Sequence, residues 1–157
     1  MQSSGIDLNS LGTVPLYKLG QVYKAPTGEE YRYVKGSASI ALYEWSVISK
    51  DGNYTAVLLD TDTSGHGAGT SQDLGVPQHQ ALTSTTYGWV FIGFGAFTGK
   101  VAASCVQNVP LHATSTGGVV DDTSTTTLIP GATLLTTVVG AAASPCNASG
   151  RLFTSGV

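Results

Sequence analysis

The chain has 157 residues, a formal net charge of −3 and 11% charged residues, where an average soluble domain carries about 25%. Apolar residues at 41% together with two Trp, seven Tyr and four Phe exclude a disordered chain, which needs high charge and few aromatics. The seven Lys and Arg residues are scattered, so no basic stripe exists for nucleic acid, and no apolar run is long enough to span a bilayer.

Residues 1–15 read as an extended N-terminal arm. Ser, Gly and Asn interrupt it, and Ile6, Leu8, Leu11 and Val14 are spaced as anchors without helical periodicity. Such a segment does not fold alone; it either lies in a groove on a partner and buries a few apolar side chains there, or is a frayed terminus. Its start has neither a basic n-region nor an apolar h-region, so no secretory signal is expected there. One domain of ordinary size is expected over 16–157.

Strand signals begin at 20–25 and resume at 30–35, with Pro26-Thr27-Gly28 between them. Proline presets its own φ and glycine supplies a positive one, which predicts a hairpin. In the second strand Tyr31, Tyr33 and Lys35 share one face, and Arg32 and Val34 the other. Residues 40–45 are a loop or a single helical turn carrying core residues. The runs 45–49 and 54–59 flank Asp51-Gly52, a strong hairpin cue. A polar loop follows over 60–72, then a segment at 75–82 in which Pro77 argues for an edge or strand start.

The run from Tyr87 to Ala103 is the longest apolar stretch. Alternation puts Val90, Ile92 and Phe94 on one face and Trp89, Phe91 and Gly93 on the other. Both faces are apolar, so the strand is either central to a sandwich or closed barrel, or covered by another chain. Gly93 and Gly95 predict a bulge or sharp bend that redirects the chain into a second strand through 100–103. Further short strands are expected at 109–114, 119–120, 125–128 and 132–139, with a Gly117-Gly118 turn. A polar Ala/Ser/Asn loop and a last strand at 151–154 follow. No run has sustained helical periodicity with caps. The fold class is all-β: a compact barrel or sandwich of short antiparallel strands with an extended arm.

No catalytic or metal constellation emerges, and no cofactor is expected. His66, His79 and His112 lie in separate segments, without ligand-like spacing to other donors. The stretch from Asp60 to Gly65 resembles the start of a Ca²⁺ loop but lacks its closing acid. Ser64-Gly65-His66 has no strand–elbow–helix context for a nucleophile. Glu29-Glu30 and Asp121-Asp122 are adjacent in sequence, so in a strand each pair points to opposite faces and reads as solvated turn charges. Cys105 and Cys146 read as free, buried or half-buried thiols. Tyr31, Tyr33, Tyr43, Trp45, Tyr87, Trp89 and Phe91 could form a platform for sugar rings, but core or interface is the preferred reading.

Several motifs recur together in order: Leu19-Gly-Gln-Val-Tyr23, Glu30-Tyr-Arg-Tyr-Val-Lys-Gly36, Trp45-Ser-Val-Ile-Ser-Lys-Asp-Gly52, Asp73-Leu-Gly-Val-Pro-Gln78, the 87–96 run, Lys100-Val-Ala-Ala103 and the stretch from Val109 to Asp122. In this the chain resembles the decoration, or cement, proteins of tailed-bacteriophage capsids, from about Leu19 to Val139. Phe91 stands where that pattern has a more polar residue, and the loop 61–72 has no counterpart. The resemblance implies a non-enzymatic β-barrel-like virion protein, made in the host cytoplasm and bound to the outer capsid surface. Its partners would be the major capsid protein and its own copies, as a homotrimer, with a dimer as the alternative. Neither nucleic acid nor membrane would be a partner. Tyr87, Trp89 and Phe91 are then the expected subunit-interface anchors, and Ile6, Leu8 and Leu11 the capsid-binding residues of the arm. The competing reading is a glycan- or host-surface-binding β module displayed on a virion.

Overall fold

The computed structural model describes residues 5–61, 72–123 and 127–156. Among these there is no helix. The strands are β1 (Val22–Lys24), β2 (Glu30–Gly36), β3 (Ser46–Ile48), β4 (Thr55–Leu58), β5 (Asp73–Gly75), β6 (Tyr87–Val101), β7 (Pro110–Ala113), β8 (Val120–Asp121), β9 (Thr127–Leu134), β10 (Ala142–Arg151) and β11 (Ser155–Gly156). The two expected hairpins form: Val22 pairs with Arg32 across the Pro26–Gly28 turn, and Ser46 with Leu58 across Asp51-Gly52.

The strand β6 runs through both halves of a single 11-stranded sheet. Its second half pairs with β10 on one side and β8 on the other, and the path β6-β10-β9-β7-β8 closes into a five-strand barrel. Its first half pairs with β2, which leads on through β4 and β3 to β5. Just beyond β5, Val76 and Phe91 exchange backbone hydrogen bonds of 2.9 and 3.0 Å and return that path to β6. The expected all-β class holds, with one amendment. The β2–β4 and β6–β8 pairs are parallel, so the sheet is mixed and not purely antiparallel.

This layout explains the two apolar faces of β6. Trp89, Phe91, Phe97 and Val101 belong to the main core, with Trp45, Leu111, Ile129 and Leu134. Val90 and Ile92 face the other way, into a smaller core with Val34, Ile40, Ile48, Ala56 and Leu82. The expected bend lies at Gly93, Phe94 and Gly95, which take φ of 151°, 63° and 109°, but no separate second strand follows it, since β6 continues through the bend to Val101. There the register shifts against both β2 and β10. A Cβ on Gly93 would sit 2.3 Å from the Gly150 carbonyl oxygen, so only glycine permits this approach of β10.

Strand β10 was not expected. Its sequence, Ala-Ala-Ser-Pro-Cys-Asn-Ala-Ser-Gly-Arg, has no β-branched or aromatic residue and reads as a loop. Alternation nonetheless buries Ser144, Cys146 and Ala148 in the barrel, and pairing with β6 and β9 on both sides overrides the weak propensity. Small residues suit this position, where Cys146 stands directly opposite the buried Phe97 of β6. The two runs expected at 125–128 and 132–139 are instead one strand, β9, with a register shift near Pro130-Gly131. Residues 125 and 126 lie outside the described residues.

Candidate functional site

Two of the three expected interface anchors, Trp89 and Phe91, lie inside the chain's own core, and the third, Tyr87, packs against it. Trp89 is 2% exposed and Phe91 fully buried. Trp89 packs its ring against Tyr17 and Tyr33, each at 5.2 Å between centroids, and against Tyr23 at 6.3 Å. Phe91 stacks on Phe97 at 4.6 Å. Tyr87 is half-buried, stacked on Tyr33 at 6.5 Å, with the Lys35 ammonium 5.9 Å from its ring centre. Trp89 and Phe91 therefore have no surface to offer a second subunit. The sequence pattern showed that both faces of the strand are covered, and intrachain layers supply the cover.

Of the seven aromatics considered as an alternative sugar platform, Tyr31, Tyr33, Trp45, Trp89 and Phe91 are buried, as the preferred core reading has it, and Tyr43 and Tyr87 are half-buried. Burial, and secondarily the Glu29 charge, raise the Tyr31 phenol above its ordinary range.

The N-terminal segment is not a free arm over its described part. Ile6 and Leu8, half-buried, pack against the main core beside Tyr17 and Leu19. Gly12 and Tyr87 exchange backbone hydrogen bonds of 3.3 and 2.8 Å, and the Leu16 N–H donates to the Tyr33 hydroxyl at 3.1 Å. The segment is a strap across the aromatic face of β2 and β6. Two of the three expected capsid anchors, Ile6 and Leu8, are thus committed to the chain's own fold. Leu11 is different: it is 41% exposed, and Val14 and Leu16 reach 68% and 66%. The inner side chains of the strap hold the domain, and three apolar side chains within six residues face solvent.

Of the histidines, His66 lies outside the described residues, as does the Ser64-Gly65 segment. His79 sits with its ring 5.8 Å from Tyr31. His112 is paired in register with Asp121, and its Nδ1 is buried without a hydrogen-bond partner. Glu30 accepts from Arg151 Nε at 2.7 Å, and Glu29 accepts from the Thr27 hydroxyl. Asp121 and Asp122 do not diverge as expected. Strand β8 ends at Asp121, alternation lapses there, and both carboxylates converge with the Cys105 sulfur so that these ligand atoms lie within 4.8 Å of one another. Asp122 is held by the Val106 N–H at 2.8 Å. No sequence spacing signals this cluster, because Cys105 and the aspartates come from segments that meet only when the barrel closes.

That cluster does not make a reactive thiol. Burial first, then the Asp122 and Asp121 charges, push the Cys105 thiol up to about 11, and burial pushes Cys146 up to about 12. Both remain protonated near neutrality, whereas nucleophilic cysteines are lowered. Both are free thiols, as expected. Unfolded thiols release their protons near 9, whereas the folded ones hold them to about 11 and 12. Stability conferred by the two thiols is therefore complete below pH 9 and is lost as pH rises toward 11–12. Urea unfolding at pH 8 and pH 10.5 is expected to show this fall, with a shallower fall in Cys146→Ala. Equal stability at both pH values would show that the thiols are solvated.

Among the described residues the candidate functional surface is accordingly the outer side of the strap. The fold and this surface define a class: a small all-β protein with a closed five-strand mixed barrel. Compared with models of known protein families and with curated proteins, the chain matches none.

Proposed function

We propose that the protein is a structural virion component that binds the outside of a bacteriophage capsid and cements neighbouring major capsid subunits. The observation that carries the reading is the exposed apolar run Leu11, Val14 and Leu16 on a strap whose inner face is tied to the barrel. Exposed apolar side chains clustered on one element mark contact surfaces for other proteins. The ordered motifs from Leu19 to Asp122 support the same reading.

Fully burying Val14 and Leu16 against a shell contributes about 1.5–3 kcal/mol each. Repetition of the contact over many copies makes weak single contacts sufficient. Binding to the assembled shell and not to free subunits raises shell stability by mass action. Self-association as a homotrimer belongs to this reading, through a surface other than Trp89 and Phe91.

The test is co-sedimentation with empty shells of the cognate capsid protein, followed by shell melting. Saturable binding and a raised shell melting temperature are expected. The double variant V14D/L16D is expected to lose at least about tenfold in affinity (~1.4 kcal/mol) while its own stability stays within about 0.5 kcal/mol, as for other exposed sites. Wild-type protein that stays in the supernatant at every concentration would refute the reading.

A further inference from the structure

A second feature lies away from the strap, at the seam where residues 72–76 and 150–154 meet β6. A cavity of about 10 Å³ is lined by Arg32, Asp73, Leu74, Ile92, Arg151 and Leu152. Arg32 is only 9% exposed, and its Nε–H is buried with no acceptor. A buried donor left unsatisfied costs about 1–3 kcal/mol, so this atom calls for a partner.

The neighbouring acceptors are already engaged. Asp73 Oδ2 accepts from Arg32 Nη1 at 2.8 Å and Oδ1 from Lys50 Nζ at 3.1 Å. Among the lining carbonyls, Ile92 accepts the Leu152 N–H at 2.7 Å and Leu152 accepts the Leu74 N–H at 3.0 Å. Burial raises the Asp73 carboxyl, but the hydrogen bonds and charges of Arg32 and Lys50 outweigh this and hold it below the ordinary range. Arg151, with a half-exposed side chain, forms the solvent rim and is itself paired with Glu30. Among the described residues, the ion pairs at the cavity comprise three cations (Arg32, Lys50, Arg151) and two carboxylates (Asp73, Glu30). The local surplus is one positive charge on a chain of net charge −3.

We propose that this cavity is a binding site for a small monovalent anion, taking a single acceptor atom of a halide or of a carboxylate group at Arg32 Nε. Its volume matches one water-sized group, which excludes sulfate and phosphate as whole ions. Donor-only guanidinium groups with a local positive surplus favour an anionic acceptor over water in a poorly solvated seam. The inference is independent of shell binding.

Arg32 and Arg151 are the only arginines in the chain, so the arginine Nε–H region of a ¹⁵N spectrum holds two side-chain signals. Titration with sodium chloride and, separately, sodium formate is expected to shift the Arg32 signal saturably, while sodium sulfate at equal ionic strength leaves it in place. A response to both anions means that the site accepts carboxylate heads, and a response to chloride alone restricts it to halides. The variant R151Q is expected to weaken the response several-fold. R32K keeps the charge beside Asp73 but lacks the second donor, and is expected to lose the anion-dependent rise in melting temperature. Should R32K fail to fold, the wild-type and R151Q spectra carry the test. If Arg32 moves no more with chloride or formate than with sulfate, ordered water is the acceptor and the proposal fails.

Discussion

Trp89→Ala is expected to lower the unfolding free energy by about 3–5 kcal/mol, the usual range for truncating a buried aromatic. The side chain is 2% exposed and central to a cluster of three tyrosine rings, so its loss leaves a cavity that the rigid β2–β6 pair cannot close. Total stability of about 5–15 kcal/mol is typical of such domains, which puts the variant near the limit of folding. Trp89→Phe discriminates packing from polarity. The indole Nε1 is buried without a partner, so removing it forfeits no hydrogen bond, and the cost should be well below that of Trp89→Ala, set by the smaller cavity left by the lost ring. Urea unfolding of both variants, at two protein concentrations, checks this. A concentration-dependent midpoint that disappears in Trp89→Ala would return Trp89 to a subunit interface.

The second large effect concerns the bend in β6. Gly93→Ala puts a Cβ 2.3 Å from the Gly150 oxygen and 2.6 Å from the Arg151 Cα, at a φ of 151°. Both obstacles are backbone, so relief requires β10 to move away from β6, which opens the barrel. Strain at such a φ alone costs about 1–3 kcal/mol, and the overlap adds to it. Gly95→Ala is the internal control. Its φ is 109°, but the nearest atom to a new Cβ is the flexible Glu29 Cγ at 3.5 Å, leaving only the conformational cost. Thermal unfolding should therefore rank wild type above Gly95→Ala, and Gly95→Ala well above Gly93→Ala. Equal melting temperatures for the two variants would mean that β10 does not pass where the structure puts it.

These residues also divide what is legible in the sequence from what is not. Alternation and turn chemistry are local, so the hairpins at Pro26–Gly28 and Asp51-Gly52 and the bend at Gly93–Gly95 could be read from residue order alone. So could the all-β class, the two free thiols and the double apolar face of β6. Strand β10 could not, because Ser144, Cys146 and Ala148 are buried by neighbours more than forty residues away in sequence for β6, and by none of their own propensity.

The same limit governs the sites. An apolar strand demands cover, but the pattern is identical whether another subunit or the same chain provides it, so Trp89 and Phe91 looked like interface anchors although Tyr17, Tyr23 and Phe97 of the same chain pack on them. Likewise Ile6 and Leu8 read as free anchors, although the strap spends them on its own barrel and leaves Leu11, Val14 and Leu16 outside. The convergence of Cys105 with Asp121 and Asp122 is a product of barrel closure, and that of Arg32 with Arg151 of the pairing of β2 and β10 with β6. Local chemistry determined the elements of this protein; which surfaces remained free was decided by long-range pairing, since burial depends on what the chain brings alongside.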